Sequence, residues 1–146
     1  MARLRDRPDV EFFACLAAVN RLADQRLERA TPAGLSPAGL AVLNRLALGG
    51  TETPLGLARG LGVSKATMTH TLQRLEAARL VRLAADPDDG RRKKVAATDT
   101  GLAAQQAALV ALRPKLGALR AAFEPNSFEA ALPFLRQLRA WLEADN

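Results

Sequence analysis

Residues 53–76 read TPLGLARGLGVSKATMTHTLQRLE, and residues 77–98 continue AARLVRLAADPDDGRRKKVAAT. Thr53-Pro54 sets a capping hydroxyl before a proline suited to the first helical turn, which predicts a short helix over Leu55–Leu61. Gly62 supplies its stop. Ser64 caps a second helix, expected to run to about Arg79. Beyond it the apolar period shortens from 3.6 towards two. Leu80–Leu83 and Lys94–Ala97 read as two short strands, and Asp86-Pro87-Asp88-Asp89-Gly90 reads as the turn between them. The block is two helices joined by a tight turn, followed by a β-hairpin with a charged tip.

Working outward, Asp9–Arg29 places Phe12, Leu16, Val19, Ala23 and Leu27 on one helical stripe. Ser36-Pro37 opens a helix carrying Leu40, Leu43 and Leu46 that stops at Gly49-Gly50. Thr98 restarts helix, with Leu102, Leu109, Leu112, Leu116 and Leu119 on a shared face and Pro114 as an expected kink. Ser127 is the expected cap of a last helix bearing Phe128, Leu135, Leu138 and Leu142. The fold class is therefore mainly α with a small β-hairpin.

Composition narrows the function classes. The 146 residues, 49% of them hydrophobic, can bury a core without disulfides or metals. One Cys and one His cannot make an internal disulfide or the usual Cys/His zinc site, so no metal or other cofactor is expected. The same scarcity, with no Tyr and no phosphate-cradling glycine loop, leaves little material for an enzyme. The longest charge-free stretch, Ala30–Asn44, falls short of the about 20 apolar residues a membrane span needs. Arg3, Arg5 and Arg7 before Phe12–Val19 loosely imitate an export signal. Asp6, Asp9 and Glu11 argue against one, so a cytoplasmic protein without a membrane segment is expected.

The net charge is +6. Residues 54–94 hold nine bases (Arg59, Lys65, Arg74, Arg79, Arg82, Arg91, Arg92, Lys93, Lys94) and four acids (Glu76, Asp86, Asp88, Asp89), so +5 of the excess lies in the central block. A basic block on compact structure suits a polyanion, because neutralising phosphates releases condensed counterions. With about 100° per residue and Leu72 facing inward, Met68 and Leu75 fall beside it. Thr67, His70 and Arg74 then face outward, with Gln73 and Ala77 at the edges. Such a face can enter a DNA major groove and present donors to base edges.

The run from Thr53 to Glu76, the wing-like Asp86-Pro-Asp-Asp-Gly-Arg-Arg and the closing Thr98-Asp-Thr-Gly101 together resemble the winged helix-turn-helix of MarR-type transcriptional regulators. The likeness covers about Asp9 to Asp145. It implies a homodimer on double-stranded DNA, with residues 1–35 and 99–146 as the helical dimerisation region and residues 36–98 as the DNA-binding lobe of one domain. It also implies recognition helices in successive major grooves, and Arg91 in the minor groove with Asp89 orienting it. Physics agrees that a guanidinium suits a narrow, negative groove. Ser64, Lys65, Thr67, His70 and Arg74 complete the expected DNA-binding set, the first two at a helix N-terminus suited to phosphate.

For most of the family the resemblance implies a small aromatic effector held in a cleft between the dimer helices and the DNA-binding lobe. Phe12, Phe13, Leu16, Leu43 and Leu46 are the lining candidates, each of which also reads as simple core. One branch of the family senses peroxide through a first-helix cysteine, and Cys15 lies in a comparable segment. That branch holds its thiolate with tyrosines, which this chain lacks, and Cys15 has apolar neighbours in Phe13, Ala14 and Leu16. A buried structural cysteine is the expectation. Peroxide sensing through Cys15 and a sequence-neutral architectural or interaction role stand as alternatives to a repressor released by an effector.

Overall fold

The computed structural model describes residues 6–31, 35–86 and 88–144. Pro87 of the expected turn, and Arg3 and Arg5 of the N-terminal segment, lie outside the described residues. Six helices and one hairpin follow in the order α1 (Pro8–Ala30), α2 (Pro37–Gly49), α3 (Pro54–Leu61), α4 (Lys65–Ala77), β1 (Val81–Ala85), β2 (Lys93–Ala97), α5 (Asp99–Ala121) and α6 (Ser127–Ala144). Among the described residues no helix is long and apolar enough to cross a membrane. The chain divides into two compact units, Met1–Leu112 and Arg113–Asn146, with the division inside α5.

Local chemistry fixes the ends of the middle helices. The Ser36, Thr53 and Ser64 hydroxyls accept the backbone N–H groups of Gly39, Gly56 and Thr67, respectively, satisfying donors that each helix start would leave bare. Pro37 and Pro54 each stand at the first turn. Gly62 takes a left-handed conformation (φ 66°) and closes α3 before the turn into α4.

The core of the first unit gathers one side each of α2, α3, α4, the hairpin and α5. Leu40, Val42, Leu43 and Leu46 of α2 meet Leu57 and Ala58 of α3, Met68, Leu72 and Leu75 of α4, Val81 and Val95 of the hairpin, and Ala108 of α5. Each large aliphatic side chain buried this way contributes about 1.5–3 kcal/mol. The one buried amide, Gln105, is satisfied by donating from Nε2 to Asn44 Oδ1 at 2.9 Å. The strands pair antiparallel with Val81 opposite Ala97 and Ala85 opposite Lys93. A single bridge adds Glu52 to Val95, giving the hairpin a third, one-residue strand that the sequence pattern does not announce.

Several expected boundaries move. Helix α4 stops at Ala77 rather than Arg79, because Arg79 turns left-handed (φ 59°) and the Leu80 N–H returns to Leu75 O at 2.9 Å. The strands accordingly start and end elsewhere, at Val81–Ala85 and Lys93–Ala97. Ser127 does not cap α6. It is the first helical residue, its hydroxyl donates back to Glu124 O at 2.7 Å, and Asn126 before it carries the turn with φ 68°. Pro114 lies inside α5 and Pro133 inside α6, and both helices continue through them.

Helices α1 and α6 contain no buried residue. On α1, Leu27 packs against the core, whereas Val10, Phe13, Leu16, Val19 and Leu22 are exposed. Cys15 is exposed too, correcting the buried position expected for it: the apolar neighbours that suggested burial are themselves uncovered within this chain. On α6, Phe128, Leu132, Phe134, Trp141 and Leu142 are exposed. Within the second unit Arg120 donates to Glu129 at 2.6 Å, and that bond holds the Glu129 carboxyl below the ordinary glutamate range.

Candidate nucleic-acid interface

Helix α4 has two sides of opposite character. Met68, Thr71, Leu72 and Leu75 are buried, as the helical geometry requires, and anchor it on α2 and α3. Lys65, Thr67, His70, Gln73 and Arg74 are all exposed. The outward set expected from the sequence, Thr67, His70 and Arg74, is therefore solvent-facing, with Gln73 at its edge.

The hydroxyls of this helix are largely committed to the helix itself. Ser64 Oγ accepts the Thr67 N–H at 3.1 Å and donates to Thr67 Oγ1 at 2.9 Å. Thr69 donates to Lys65 O and Thr71 to Thr67 O. The longer side chains of Lys65, His70, Gln73 and Arg74 have no such partner among the described residues. Their donors are free for base edges or phosphates. Lys65 adds a cation beside the N–H groups at the helix start, where anions are favoured.

The hairpin tip is organised by its aspartates. Asp86 Oδ1 accepts the Asp88 N–H at 3.0 Å, its main-chain N–H donates to Arg92 O at 2.8 Å, and its carboxylate lies 3.9 Å from Lys94 Nζ. Asp89 Oδ1 accepts the Arg91 N–H at 3.1 Å, while Asp89 O accepts the Arg92 N–H at 3.0 Å. This local turn chemistry bends the carboxylate onto the main chain two residues on. Asp89 thus holds Arg91 by its main-chain N–H. The nearest guanidinium is that of Arg92, at 3.7 Å. The Arg91 guanidinium has no ion pair among the described residues and projects from an exposed tip.

Strand register settles which of the other bases share a surface. Arg82 pairs with Ala96 and Ala84 with Lys94, so Arg82 and Lys94 lie on one face, opposite the core-facing Val81 and Val95. They line a shallow hollow of about 290 Å³ with Thr51, Ala84 and Asp86. Lys93 lies on the other face.

The five effector-pocket candidates differ in exposure. Leu43 and Leu46 are part of the buried core, whereas Phe13 and Leu16 are exposed on α1 and Phe12 is half-buried against the Phe13 ring, 5.6 Å away edge to face.

Two residues that matter for this surface escaped the sequence reading. Arg45 of α2 and Glu52 before α3 form a part-buried, bidentate ion pair, with Nε to Oε2 and Nη2 to Oε1 both 2.7 Å. Its signal was present: Arg45 is the one charged residue of α2, and Glu52 is the one acid between Glu28 and Glu76.

A helix-turn-helix whose second helix is exposed along its polar side, followed by a hairpin with a free arginine at its tip, defines a winged helix-turn-helix protein. The MarR family model matches residues 33–92, from the start of α2 to the wing. The chain thus has a winged helix-turn-helix fold, and its central lobe is similar to the MarR family. No curated protein sequence matches it. Among solved structures it is similar to the transcriptional regulator BldR from Sulfolobus solfataricus, with TM-score 0.84 and 20% identity over 96% of this chain and 99% of that one. A probable transcriptional regulator from Pseudomonas aeruginosa gives TM-score 0.76 and 28% identity over 93% and 99%. A mutant MarR from E. coli complexed with operator DNA gives 0.78 and 21% over 90% and 95%.

Proposed function

We propose that the protein is a cytoplasmic, sequence-specific DNA-binding regulator that acts as a homodimer on a pseudo-palindromic operator. It represses, and a small effector releases it. The observation that carries this reading is the division of α4. An apolar side locks the helix to its lobe, while Lys65, Thr67, His70, Gln73 and Arg74 are exposed, and the wing arginine has no ion pair among the described residues. The operator complex of the similar MarR structure supports the same use of the fold. Dimerisation is supported by the exposed apolar residues of α1 and α6, among them Phe13, Leu16 and Val19 on the first and Leu132 and Trp141 on the second.

Selection of binding sites from random duplex by the purified protein tests the reading. A two-fold symmetric consensus with half-sites about one helical turn apart is expected, and affinity should fall steeply with salt. Recovery of unenriched sequence would sink it. On the selected site, Arg91→Ala should weaken binding by about 1–3 kcal/mol. Fluorescence anisotropy at fixed ionic strength measures the change, and an unaltered affinity would remove Arg91 from the interface.

A further inference from the structure

The Arg45–Glu52 pair touches three parts of the DNA-binding lobe at once. Arg45 belongs to α2. Glu52 is fastened through its main chain to the root of the wing: its N–H donates to Val95 O at 3.1 Å, and the Val95 N–H donates to Glu52 O at 2.8 Å. Gly60 of α3 closes the arrangement, because a Cβ built there would overlap the Arg45 guanidinium. One residue thus has its backbone in the wing sheet and its carboxylate clasped by α2, with α3 lying against the clasp. A fork-to-fork contact of this kind fixes direction as well as distance. Both side chains keep some solvent contact, so little of the lobe's stability depends on the pair.

We propose that the Arg45–Glu52 pair, seated against Gly60, is a positioning device that holds the wing at a fixed bearing on the helix-turn-helix. Arg91 and the outward side of α4 then engage one duplex together. The proposal rests on the DNA-binding reading above. Without the clasp the wing root keeps its two Glu52–Val95 hydrogen bonds and the core packing of Val81 and Val95, but loses the contact that fixes its bearing. The wing then wanders, and Arg91 contributes to binding only part of the time.

Three variants break the clasp by different routes: Arg45→Met, Glu52→Gln and Gly60→Ala. The last changes no polar group and favours helix by intrinsic propensity, yet evicts the guanidinium. In each, amide hydrogen exchange at Glu52 and Val95 should accelerate by about tenfold or more, with core amides such as that of Leu43 unchanged. Exchange at wild-type rates in all three overturns the proposal. On the selected operator, Arg91→Ala should cost between about 5- and 150-fold in the wild-type background. In Arg45→Met it should cost less than about threefold, since coupled residues are not additive. Equal losses in both backgrounds overturn the proposal as well. If the wild-type protein selects no duplex, the DNA-binding reading fails, and the exchange measurement still decides whether the clasp holds the wing.

Discussion

Gly101→Ala should lower the stability of the protein by about 3 kcal/mol, an overpacking cost at the upper end of the usual range. Helix interiors ordinarily gain up to about 1 kcal/mol when glycine becomes alanine, so the expected sign is reversed. The cause is a close approach. A Cβ at Gly101 would overlap the carbonyl of Leu80, a backbone atom that cannot rotate away. That carbonyl also accepts the Thr98 N–H at 3.1 Å, while the Thr98 hydroxyl donates to Arg79 O at 2.6 Å and accepts the Gly101 N–H at 3.0 Å. Making room would break this set of bonds. Gly117 in the same helix provides the control. Nothing lies within 4 Å of its Cβ position, and Gly117→Ala should be neutral or stabilising. Thermal unfolding followed by circular dichroism should show the first variant melting roughly 10 °C lower, at about 3–4 °C per kcal/mol for a chain of this size. Equal melting temperatures for the two variants would show that α5 can shift off Leu80 at no cost.

Phe134→Glu with Trp141→Glu should convert the proposed dimer to a monomer while leaving each chain folded. Both side chains are more than half exposed, at 56% and 64%, so neither supports its own chain's core. With Leu138 they line one side of α6, next to the stripe formed by Phe128, Leu132, Leu135 and Leu142. In a two-fold interface each substitution occurs twice. Four lost burials at about 1.5–3 kcal/mol each amount to roughly 6–12 kcal/mol, before any cost of burying the new carboxylates. That exceeds what a micromolar dimer can lose and persist. Sedimentation equilibrium should report a single chain with an unchanged far-ultraviolet spectrum. Operator affinity should drop by about 100-fold or more as the two half-sites cease to act together. A double variant that still sediments as a dimer would move the interface away from α6.

The helix-turn-helix and its wing were legible because their signals are local. Capping hydroxyls, first-turn prolines and the apolar triplet Met68, Leu72 and Leu75 act within a few residues, and each lies where the pattern put it. The outward side of α4 followed from the same periodicity. What stayed hidden depends on groups distant in sequence or on competition between equals. The Glu52–Val95 bridge joins residues 43 positions apart in an otherwise turn-like stretch, and no period marks it. Asp89 had two donors within reach, the guanidinium of Arg91 and its main-chain N–H, and the short side chain favours the nearer one. Cys15 is exposed because apolar neighbours bring burial only where something covers them, and Phe13 and Leu16 beside it are exposed as well. Ser127 differed because a hydroxyl at a helix start can donate backwards as readily as accept forwards.

The Thr98 hydroxyl has a mechanical consequence. It ties Arg79, two residues before β1, to the opening turn of α5, so the end of the helix-turn-helix and the long helix behind it meet at a joint without slack. A tilt given to the first turn of α5 is handed on to the end of α4 instead of being absorbed by a pliant connector. Levers need such stiffness at the fulcrum, and here one threonine and one side-chain-free position provide it.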